Sequence, residues 1–470
     1  MEHSLGTLLP LYSVIPFVGM LLSIALGPVL FPNFWHHHFG KVSFAWAALL
    51  AVPLIAVYGK QGVDELLHLL IADYIPFIAL LAALFTVGGG ILIRTSLKGT
   101  TWVNAGFLTV GAVLASWMGT TGAAMLLIRP FLRVNKHRKY KAFMVVFFIF
   151  VVANAGGALT PLGDPPLFLG FLHGVPFFWT MKLFPVMLVI LAGLLLIYMA
   201  FDKYYLAKEE KEGNLVLATA DNAGDDAVSV NDNEEGNTGS GKKLEILGAQ
   251  NFILLAGILG AVLFSGSVHM REVSLLGVHI GLQDIICVII LVLIMVISMK
   301  ITPKALREEN EYSWGPILEI VYLFFGIFVT MAPALAILKA GQDGALAFIT
   351  AAVKEPVHYF WVTGILSSFL DNAPTYLTFF STALGQFYPG IAEASAVPQL
   401  LAQQPIYLEA ISAGSVFFGA VTYIGNAPNF MVRSIAQESG VKMPSFFGYM
   451  VYSIGILLPL FALVTFLFFL

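Results

Sequence analysis

Two stretches of the chain repeat one pattern of glycine, proline and polar residues inside apolar segments: Gly157-Ala-Leu-Thr160-Pro-Leu-Gly163-Asp164-Pro-Pro166-Leu-Phe168 and Gly419-Ala-Val-Thr422-Tyr-Ile-Gly425-Asn426-Ala-Pro428-Asn-Phe430. Glycine and proline interrupt the hydrogen-bond ladder of a helix, and a membrane tolerates this only where protein or water satisfies the freed backbone groups. Two equivalent breaks in the two halves of a chain indicate a substrate and ion site. The pattern therefore predicts a duplicated, broken transmembrane helix.

The composition predicts a membrane protein. Hydrophobic residues make up 58% of the 470 residues and charged residues 11%, and the mean hydropathy is +0.86, values outside the range of soluble domains. About ten apolar segments are long enough to span a bilayer, and two shorter apolar pairs lie near residues 103–132 and 357–387. We predict an all-α polytopic membrane protein, without a cofactor, a catalytic motif or a basic face for nucleic acid.

One polar segment divides the chain. Residues 202–245 hold eleven acidic residues against five lysines and many small residues, a composition that does not fold alone. We therefore predict an N-terminal membrane repeat (1–201), a flexible acidic cytoplasmic linker (202–247) and a C-terminal membrane repeat (248–470). Five full spans in each half is an odd number, so the second half enters the membrane from the opposite side. The two repeats are thus expected to be inverted.

Each half also carries a short apolar pair with small or polar residues at its centre. The two centres are Ser116-Trp-Met-Gly119-Thr120-Thr121-Gly122 and Ser368-Phe-Leu-Asp371-Asn372-Ala373-Pro374. Irregular backbone of this kind must lie against protein or water, as at the tip of a re-entrant hairpin. The alternative is a continuous helix with small packing residues, which Pro374 and Asp371 make costly in the second pair.

Basic residues in the short loops predict the orientation. Arg94, Lys98 and the cluster between Arg129 and Lys141 fall on the same face as Lys300 and the linker lysines. That face is predicted to be cytoplasmic. Both termini are then expected on the periplasmic side of a bacterial inner membrane.

Three carboxylates fall at membrane depth, where an ionisable group is costly and indicates function. Asp164 follows the first break, Asp371 lies at the second hairpin tip, and Glu319 falls early in an apolar run. Because Na⁺ prefers hard oxygen ligands, we predict that Asp371, Asn372 and Asp164 contact Na⁺. A buried carboxylate can also exchange its proton for the cation. Glu319 is either an accessory group or a residue near a helix end that reaches interfacial water.

Polar residues around the breaks complete two expected ligand shells, one in each half. The first consists of Thr120, Thr121, Asn154, Thr160 and Asp164, with Gly163 beside them, and the second of Asp371, Asn372, Thr422, Gly425 and Asn426, with Ser368 beside them. Taken singly, each threonine or asparagine is equally explained by a hydrogen bond between helices. Their concentration at matched breaks favours an ion site.

Other polar features carry less weight. The run His36-His37-His38 is interpreted as an interfacial anchor. His173 is interpreted as a packed neutral histidine, with a proton relay as the alternative. The single cysteine, Cys287, excludes an internal disulfide and a thiolate metal site and is expected to be a packing residue.

Three motifs of the chain resemble those of a known superfamily. They are Asn154-Ala-Gly-Gly-Ala-Leu-Thr160-Pro-Leu-Gly163-Asp164-Pro-Pro166, Ser368-Phe-Leu-Asp371-Asn372-Ala-Pro374-Thr375 and Thr422-Tyr-Ile-Gly425-Asn426-Ala-Pro428-Asn429-Phe430. They resemble the ion transporter superfamily, which contains NhaD-type sodium/proton antiporters, ArsB-type pumps and citrate and dicarboxylate carriers. The chain looks closest to a bacterial branch described as sodium:proton antiporters or citrate transporters. The resemblance implies inverted repeats, frequent dimers, and a transport part of hairpins and broken helices that moves like an elevator against a scaffold.

One departure from the superfamily bears on the substrate. Neither tip has the Ser-Asn-Thr signature of the dicarboxylate carriers, since the first has Gly119-Thr120-Thr121 and the second Asp371-Asn372. An aspartate at the tip repels a citrate carboxylate unless a cation intervenes, and no arginine lies within either motif to bind one.

We therefore predict a secondary transporter that exchanges Na⁺, or Li⁺, for protons. The first alternative is a Na⁺- or H⁺-coupled carrier of citrate or another organic anion, which needs Arg433 and the amides of the breaks at the anion. The second is a channel or a membrane-embedded enzyme, which the paired breaks disfavour.

Overall fold

The computed structural model describes residues 5–95, 97–212, 244–268 and 270–470. Within these ranges the chain is predominantly helical, and ten helices are long and apolar enough to cross a membrane. The prediction of an all-α polytopic fold is thereby confirmed. Most of the predicted linker lies outside the described residues, while its first residues continue a helix to Lys211 and its last four form the strand Leu244–Leu247.

The first half contains helices and one strand in the following order. The helices are α1 (Leu5–Leu8), α2 (Ile15–Leu30), α3 (Pro32–Tyr58), α4 (Lys60–His68), α5 (Ile75–Gly88), α6 (Thr101–Met118), α7 (Thr120–Val134), α8 (Ala142–Val151), α9 (Pro165–Leu172) and α10 (Phe184–Lys211), with strand β1 (Leu92–Thr95) after α5. A π-helical turn, Leu69–Tyr74, joins α4 to α5, and 3₁₀ turns cover Leu11–Val14, Ala155–Leu159 and Phe177–Leu183.

The second half follows a related order. It contains strands β2 (Leu244–Leu247), β3 (Glu272–Leu275) and β4 (Val278–Gly281), and helices α11 (Gln250–Ser267), α12 (Leu282–Ile301), α13 (Lys304–Glu309), α14 (Gly315–Lys339), α15 (Ala347–Ala352), α16 (Pro356–Phe369), α17 (Asn372–Phe387), α18 (Glu393–Gln403), α19 (Pro405–Phe418), α20 (Ala427–Glu438) and α21 (Phe446–Val464). Turns of 3₁₀ form cover Gly341–Asp343 and Gly419–Val421, and a π-helical turn covers Thr465–Phe469. β1 pairs antiparallel with β2, and β3 with β4.

Helices α6 and α7 form the first expected hairpin. At its open end, Asn104 and Asn135 exchange two side-chain hydrogen bonds, at 2.9 and 2.7 Å, and further in, the rings of Phe107 and Phe131 lie 6.0 Å apart. The chain reverses at Gly119, whose φ of +82° lies in the region that favours glycine. Although α6 alone is long enough to span a bilayer, α7 returns the chain to the end of the molecule where α6 begins.

Helices α16 and α17 form the second hairpin. The hydroxyl of Tyr359 donates to Oε1 of Gln386 at 2.7 Å near its open end. The chain turns at Leu370 and Asp371, and the Asp371 carboxylate caps α17 by accepting the N–H of Ala373 at 3.1 Å. Pro374 lies in the first turn of α17, where no N–H has a helical partner, so it starts the helix without cost.

Both expected helix breaks are present. The first separates α8 from α9 and the second separates α19 from α20. A proline in the first turn starts the second segment in each case, Pro165 in α9 and Pro428 in α20. The residues Phe143–Val151 of α8 are all apolar and all buried, which places the first broken helix in the centre of the molecule.

The two ends of the molecule differ in the groups they carry. At one end β1 pairs with β2, and Arg94 contacts Glu309 at 2.6 Å. At the other end Gly6 packs against Ala336, near the end of α14, and Leu470 lies beside Glu355. Gly6 and Leu470 therefore share the end opposite to strand β2. The assignment of that end to the periplasm stays a prediction.

Candidate functional site

The two hairpin tips and the two helix breaks meet at one point. Helix α7 begins there at Thr120, α9 at Pro165, α17 at Asn372 and α20 at Ala427. Because the N-terminus of a helix carries a partial positive charge, four such ends favour a negative charge at this point. Asp164, the N-cap residue of α9, is an acidic residue at this point.

The carboxylate of Asp164 is the centre of this arrangement. It is 1% exposed and accepts hydrogen bonds from three other elements. Nδ2 of Asn372 donates to Oδ2 at 2.6 Å, and Nδ2 of Asn426 and the hydroxyl of Thr120 donate to Oδ1 at 3.1 and 3.2 Å. One carboxylate in the first break thus joins both hairpin tips and the second break through neutral donors.

Two further asparagines extend the cluster between the breaks. Oδ1 of Asn154 accepts from Nδ2 of Asn426 at 3.2 Å, and Nδ2 of Asn154 donates to Oδ1 of Asn429 at 2.7 Å. Asn429 in turn donates to the carbonyl oxygens of Gly419 and Thr422 at 2.7 and 2.9 Å. These side chains satisfy backbone groups that the broken helices leave free. The polar groups at the centre are therefore hydrogen-bonded to one another.

Matched hydrogen bonds hold each tip against its own break. The hydroxyl of Thr160 makes a short hydrogen bond to the carbonyl oxygen of Ser116, and the hydroxyl of Thr422 makes the equivalent short bond to Ser368. In both halves the N–H two residues further on donates back to the same threonine hydroxyl at 3.2 Å. The duplication seen in the sequence therefore extends to individual hydrogen bonds.

Two glycines allow the breaks to fold back on themselves. A Cβ added at Gly163 would lie 2.2 Å from the carbonyl oxygen of Gly157, and one added at Gly425 would lie 2.7 Å from that of Gly419. The carbonyl oxygen of Gly163 accepts the N–H of Thr120 at 2.9 Å. Both glycines are thus required for close backbone contact, and Gly163 also positions the first tip.

A small cavity of about 30 Å³ lies beside Asp164. It is lined by Thr120, Thr121, Gly163 and Asp164 from the tip and break, and by apolar side chains of α5 and α14, among them Leu84 and Ile317. Its volume corresponds to roughly two water molecules. It therefore has room for a small cation with little water, but not for a tricarboxylate.

The structure differs from the expectation of two separate ligand shells. Asn372 was expected in the shell of the second half, but its side chain donates to Asp164 in the first half. The half-buried carboxylate of Asp371 caps α17 and forms no hydrogen bond with Asp164 within the described residues. Glu319 is exposed on α14 and lies near His36 of α3. The cluster therefore contains one of the three expected carboxylates.

Two residues of the site were not singled out from the sequence. In the sequence, Ser116 stands out only as the counterpart of Ser368. In the structure, its hydroxyl donates to the carbonyl oxygen of Gly156 at 2.5 Å and its own carbonyl oxygen accepts the hydroxyl of Thr160. Asn429 lies inside the quoted second motif, where the first motif has Leu167. That difference between the repeats was the available signal.

Comparison with known proteins finds a match to a transport family. A family model described as "Putative citrate transport" matches residues 6–469. Curated protein sequences give no match. The family match covers both hairpins, both breaks and nearly the whole chain, and it is consistent with the expected superfamily. The chain belongs to this citrate transport family.

Proposed function

We propose that the protein is a secondary transporter that exchanges Na⁺ or Li⁺ for protons, with Asp164 as the carboxylate that binds them in turn. One observation carries the proposal. Four acidic residues are buried in the described part of the chain: Asp73, Asp164, Asp202 and Glu209. Asp202 and Glu209 pair with Arg138, and Asp73 lies beside His173, whereas Asp164 has no basic partner among the described residues.

An unpaired buried carboxylate favours exchange chemistry. An isolated charge in a low-dielectric interior is costly, so the group either takes up a proton or binds a cation. The neutral donors and the four helix ends around Asp164 reduce that cost without adding a fixed positive charge. A proton and a Na⁺ ion can therefore compete for the same carboxylate, which couples their movement.

Asn372 offers a means to accommodate both ions. Its Oδ1 is buried and lacks a hydrogen-bond partner, while its Nδ2 donates to Asp164. Rotation of the amide would exchange donor for acceptor and present an oxygen to a cation, or to a proton, on Asp164. Thr120, Thr121 and Gly163 line the adjacent cavity, and their hydroxyl and carbonyl groups would supply further oxygen ligands.

The transport movement proposed is of the elevator type. The two hairpins and the two broken helices move together as the transport part, because Thr160, Thr422 and Asp164 hydrogen-bond each tip to a break. The remaining long helices form the scaffold. Inverted repeats, a bacterial inner-membrane location with periplasmic termini, and a homodimer held by the scaffold belong to the same proposal and follow from the resemblance and the charge distribution.

A second candidate function is favoured by the family description. A Na⁺- or H⁺-coupled carrier of citrate or another organic anion needs a cationic group near the site. The guanidinium of Arg433, on α20, lies 4.6 Å from the ring centroid of Tyr423, and its Nε is buried without a hydrogen-bond partner. It is a free donor for a carboxylate. The cavity at Asp164 is, however, too small for citrate, so we favour cation and proton exchange.

Reconstituted transport separates the two functions. Proteoliposomes with an imposed pH gradient and a clamped membrane potential are given NaCl, LiCl, KCl or citrate. We expect Na⁺ and Li⁺ alone to collapse the gradient. Proton movement that requires citrate, and that Arg433→Gln abolishes while Asp164→Asn does not, would overturn the proposal in favour of the anion carrier.

A further inference from the structure

A second charged cluster lies at the end of the molecule that carries the termini. His173 follows α9, and its Nδ1 makes a short contact with Oε1 of Glu393, the first residue of α18. Its Nε2 lies 3.6 Å from Oδ2 of Asp73. The other oxygen of Glu393 contacts Nζ of Lys339 at 2.6 Å. One imidazole thus lies between two carboxylates, and a lysine pairs with one of them.

The cluster joins the proposed transport part to the proposed scaffold. His173 directly follows the first broken helix, and Glu393 follows the second hairpin. Asp73 lies in the π-helical turn between α4 and α5, and Lys339 is the last residue of α14. Turns of π form occur frequently at functional sites. A change in this contact therefore changes how firmly the outer ends of the two parts are held together.

The imidazole can satisfy both carboxylates in only one protonation state. A neutral histidine has one N–H and can donate to one carboxylate, whereas the imidazolium donates from both nitrogens. The side chains of His173 and Asp73 are 7% and 4% exposed, and Nε2 of His173 and Oδ2 of Asp73 are buried without hydrogen-bond partners. Loss of the proton would leave one buried carboxylate facing a nitrogen lone pair, which destabilises the contact.

We propose that His173 is a second proton-binding site, and that its protonated form locks the outer end of the broken helix to the scaffold through Asp73, while Glu393 holds the other imidazole nitrogen. The inference rests on the proposed movement of hairpins and broken helices against the other helices. Protonation at this site adds the contact with Asp73 to the pair of Lys339 and Glu393, which already joins the two parts, and deprotonation weakens the junction by removing that contact.

The electrostatics give the direction of the pH dependence. Burial alone lowers the pKa of His173, but the charges of Glu393 and Asp73 outweigh it and raise the pKa above 6.5. Burial alone raises the pKa of Glu393, but the charges of His173 and Lys339 outweigh it and hold the pKa below 4.5. Glu393 thus stays ionised at neutral pH. The lock is complete below the ordinary histidine pKa of 6.5 and is lost as pH rises through the raised pKa of His173.

Other charges near the cluster modulate the lock without replacing it. Glu65 and His68, both on α4, act on Asp73 or on its neighbours through their charge. His68 is exposed, so its charge is screened by solvent. Lys339 opposes protonation of His173 but neutralises Glu393. His173 remains the group that contacts both carboxylates.

Distance measurements on the full-length protein test the lock. Spin labels are placed at Gln61 on α4 and Ala394 on α18, both exposed, in a Cys287→Ser background in lipid nanodiscs. We expect one distance between the labels to dominate at pH 5.5. The occupancy of a second distance should rise at least about threefold between pH 5.5 and pH 9, with the midpoint of that rise above the ordinary pKa of histidine. His173→Gln should populate the second distance at both pH values, and His173→Arg, permanently charged, should suppress it at both.

Two further variants complete the experiment. His279→Gln removes an exposed histidine from the same end, 4.0 Å from Glu272, and should retain the wild-type pH response. Asp73→Asn removes the charge of the second carboxylate and should abolish the pH response. If His173→Gln and Asp73→Asn both keep the wild-type response, the lock does not exist. The distances require no transport, so the absence of Na⁺/H⁺ exchange in proteoliposomes would be recognised separately from failure of the lock.

Discussion

At the scale of single residues, two aspartates that look equivalent in the sequence differ in the structure. Both Asp164 and Asp371 lie at interruptions of apolar helices. Asp164 is buried and receives donors from Asn372, Asn426 and Thr120. Asp371 is half-buried and caps a helix through the N–H of Ala373. Their expected contributions to ion binding therefore differ.

Replacement of each aspartate by asparagine should separate these roles. Asp164→Asn removes the charge that accepts three hydrogen bonds, and we expect exchange to fall at least about tenfold, since hydrogen bonds to a charged group contribute ~1.5–3 kcal/mol. Asp371→Asn should retain exchange within about twofold, because asparagine caps a helix as well as aspartate. The measurement is Na⁺-dependent collapse of a pH gradient. Equal losses in both variants would argue against Asp164 as the centre.

At the scale of elements, the repeated motif predicted both breaks, and the two short apolar pairs with small or polar centres predicted both hairpins. Proline can occupy the first turn of a helix but not its interior, and Pro165, Pro374 and Pro428 each lie in the first turn of a helix. The first hairpin reverses at Gly119, one of the small residues at its expected tip. These are local rules, and the structure obeys them at each of these positions.

The long-range pairings could not be predicted in the same way. Asn372 was assigned to the second half because it lies beside Asp371, yet its side chain reaches Asp164 in the first half. His173 was interpreted as a packed neutral histidine, although it contacts Glu393 and lies beside Asp73. Neither pairing has a signal in spacing or periodicity, because each depends on how the two halves pack together.

The close backbone contacts at the breaks predict what happens when the glycines there are replaced. Alanine at Gly163 or Gly425 would place a Cβ 2.2 or 2.7 Å from a carbonyl oxygen, so the backbone must shift. We expect both variants to lose exchange and to melt at lower temperature. Gly106→Ala, in α6, is the matched control, since no atom lies within 4 Å of its added Cβ and alanine favours a helix by roughly 1 kcal/mol. Melting curves and proteoliposome assays that show no difference among the three would contradict this interpretation.

At the scale of the whole molecule, buried ion pairs lie towards the two ends and the hydrogen-bonded cluster around Asp164 lies between them. At one end, the guanidinium of Arg138 contacts Asp202 at 3.0 Å and Glu209 at 2.8 Å, and all three side chains are 0% exposed. This group joins the connection after the first hairpin to α10. At the other end His173 makes its paired contacts. Among the residues that the structure describes, Asp164 is the buried carboxylate without a basic partner.

The Arg138 group should contribute strongly to stability. Arg138→Met leaves two buried carboxylates without a basic partner, a change that destabilises by ~3–5 kcal/mol and should lower the melting temperature by at least about 5 °C. The adjacent Lys139→Met is the control, because Lys139 pairs with Glu212 in solvent, with half of its side chain exposed. It should melt like the wild type. Similar melting temperatures for both variants would show that burial of the Arg138 group contributes little.

The most direct test of the account is proton release on Na⁺ binding by the purified protein. Weakly buffered protein in detergent, with a pH indicator, is given NaCl, LiCl or choline chloride. If Na⁺ displaces a proton from Asp164, wild type and Asp371→Asn should release up to about one proton per chain with Na⁺ or Li⁺. Choline should release none, and Asp164→Asn should release none with any salt. Full proton release by Asp164→Asn, or Na⁺ binding by wild type without proton release, would contradict the central role of Asp164.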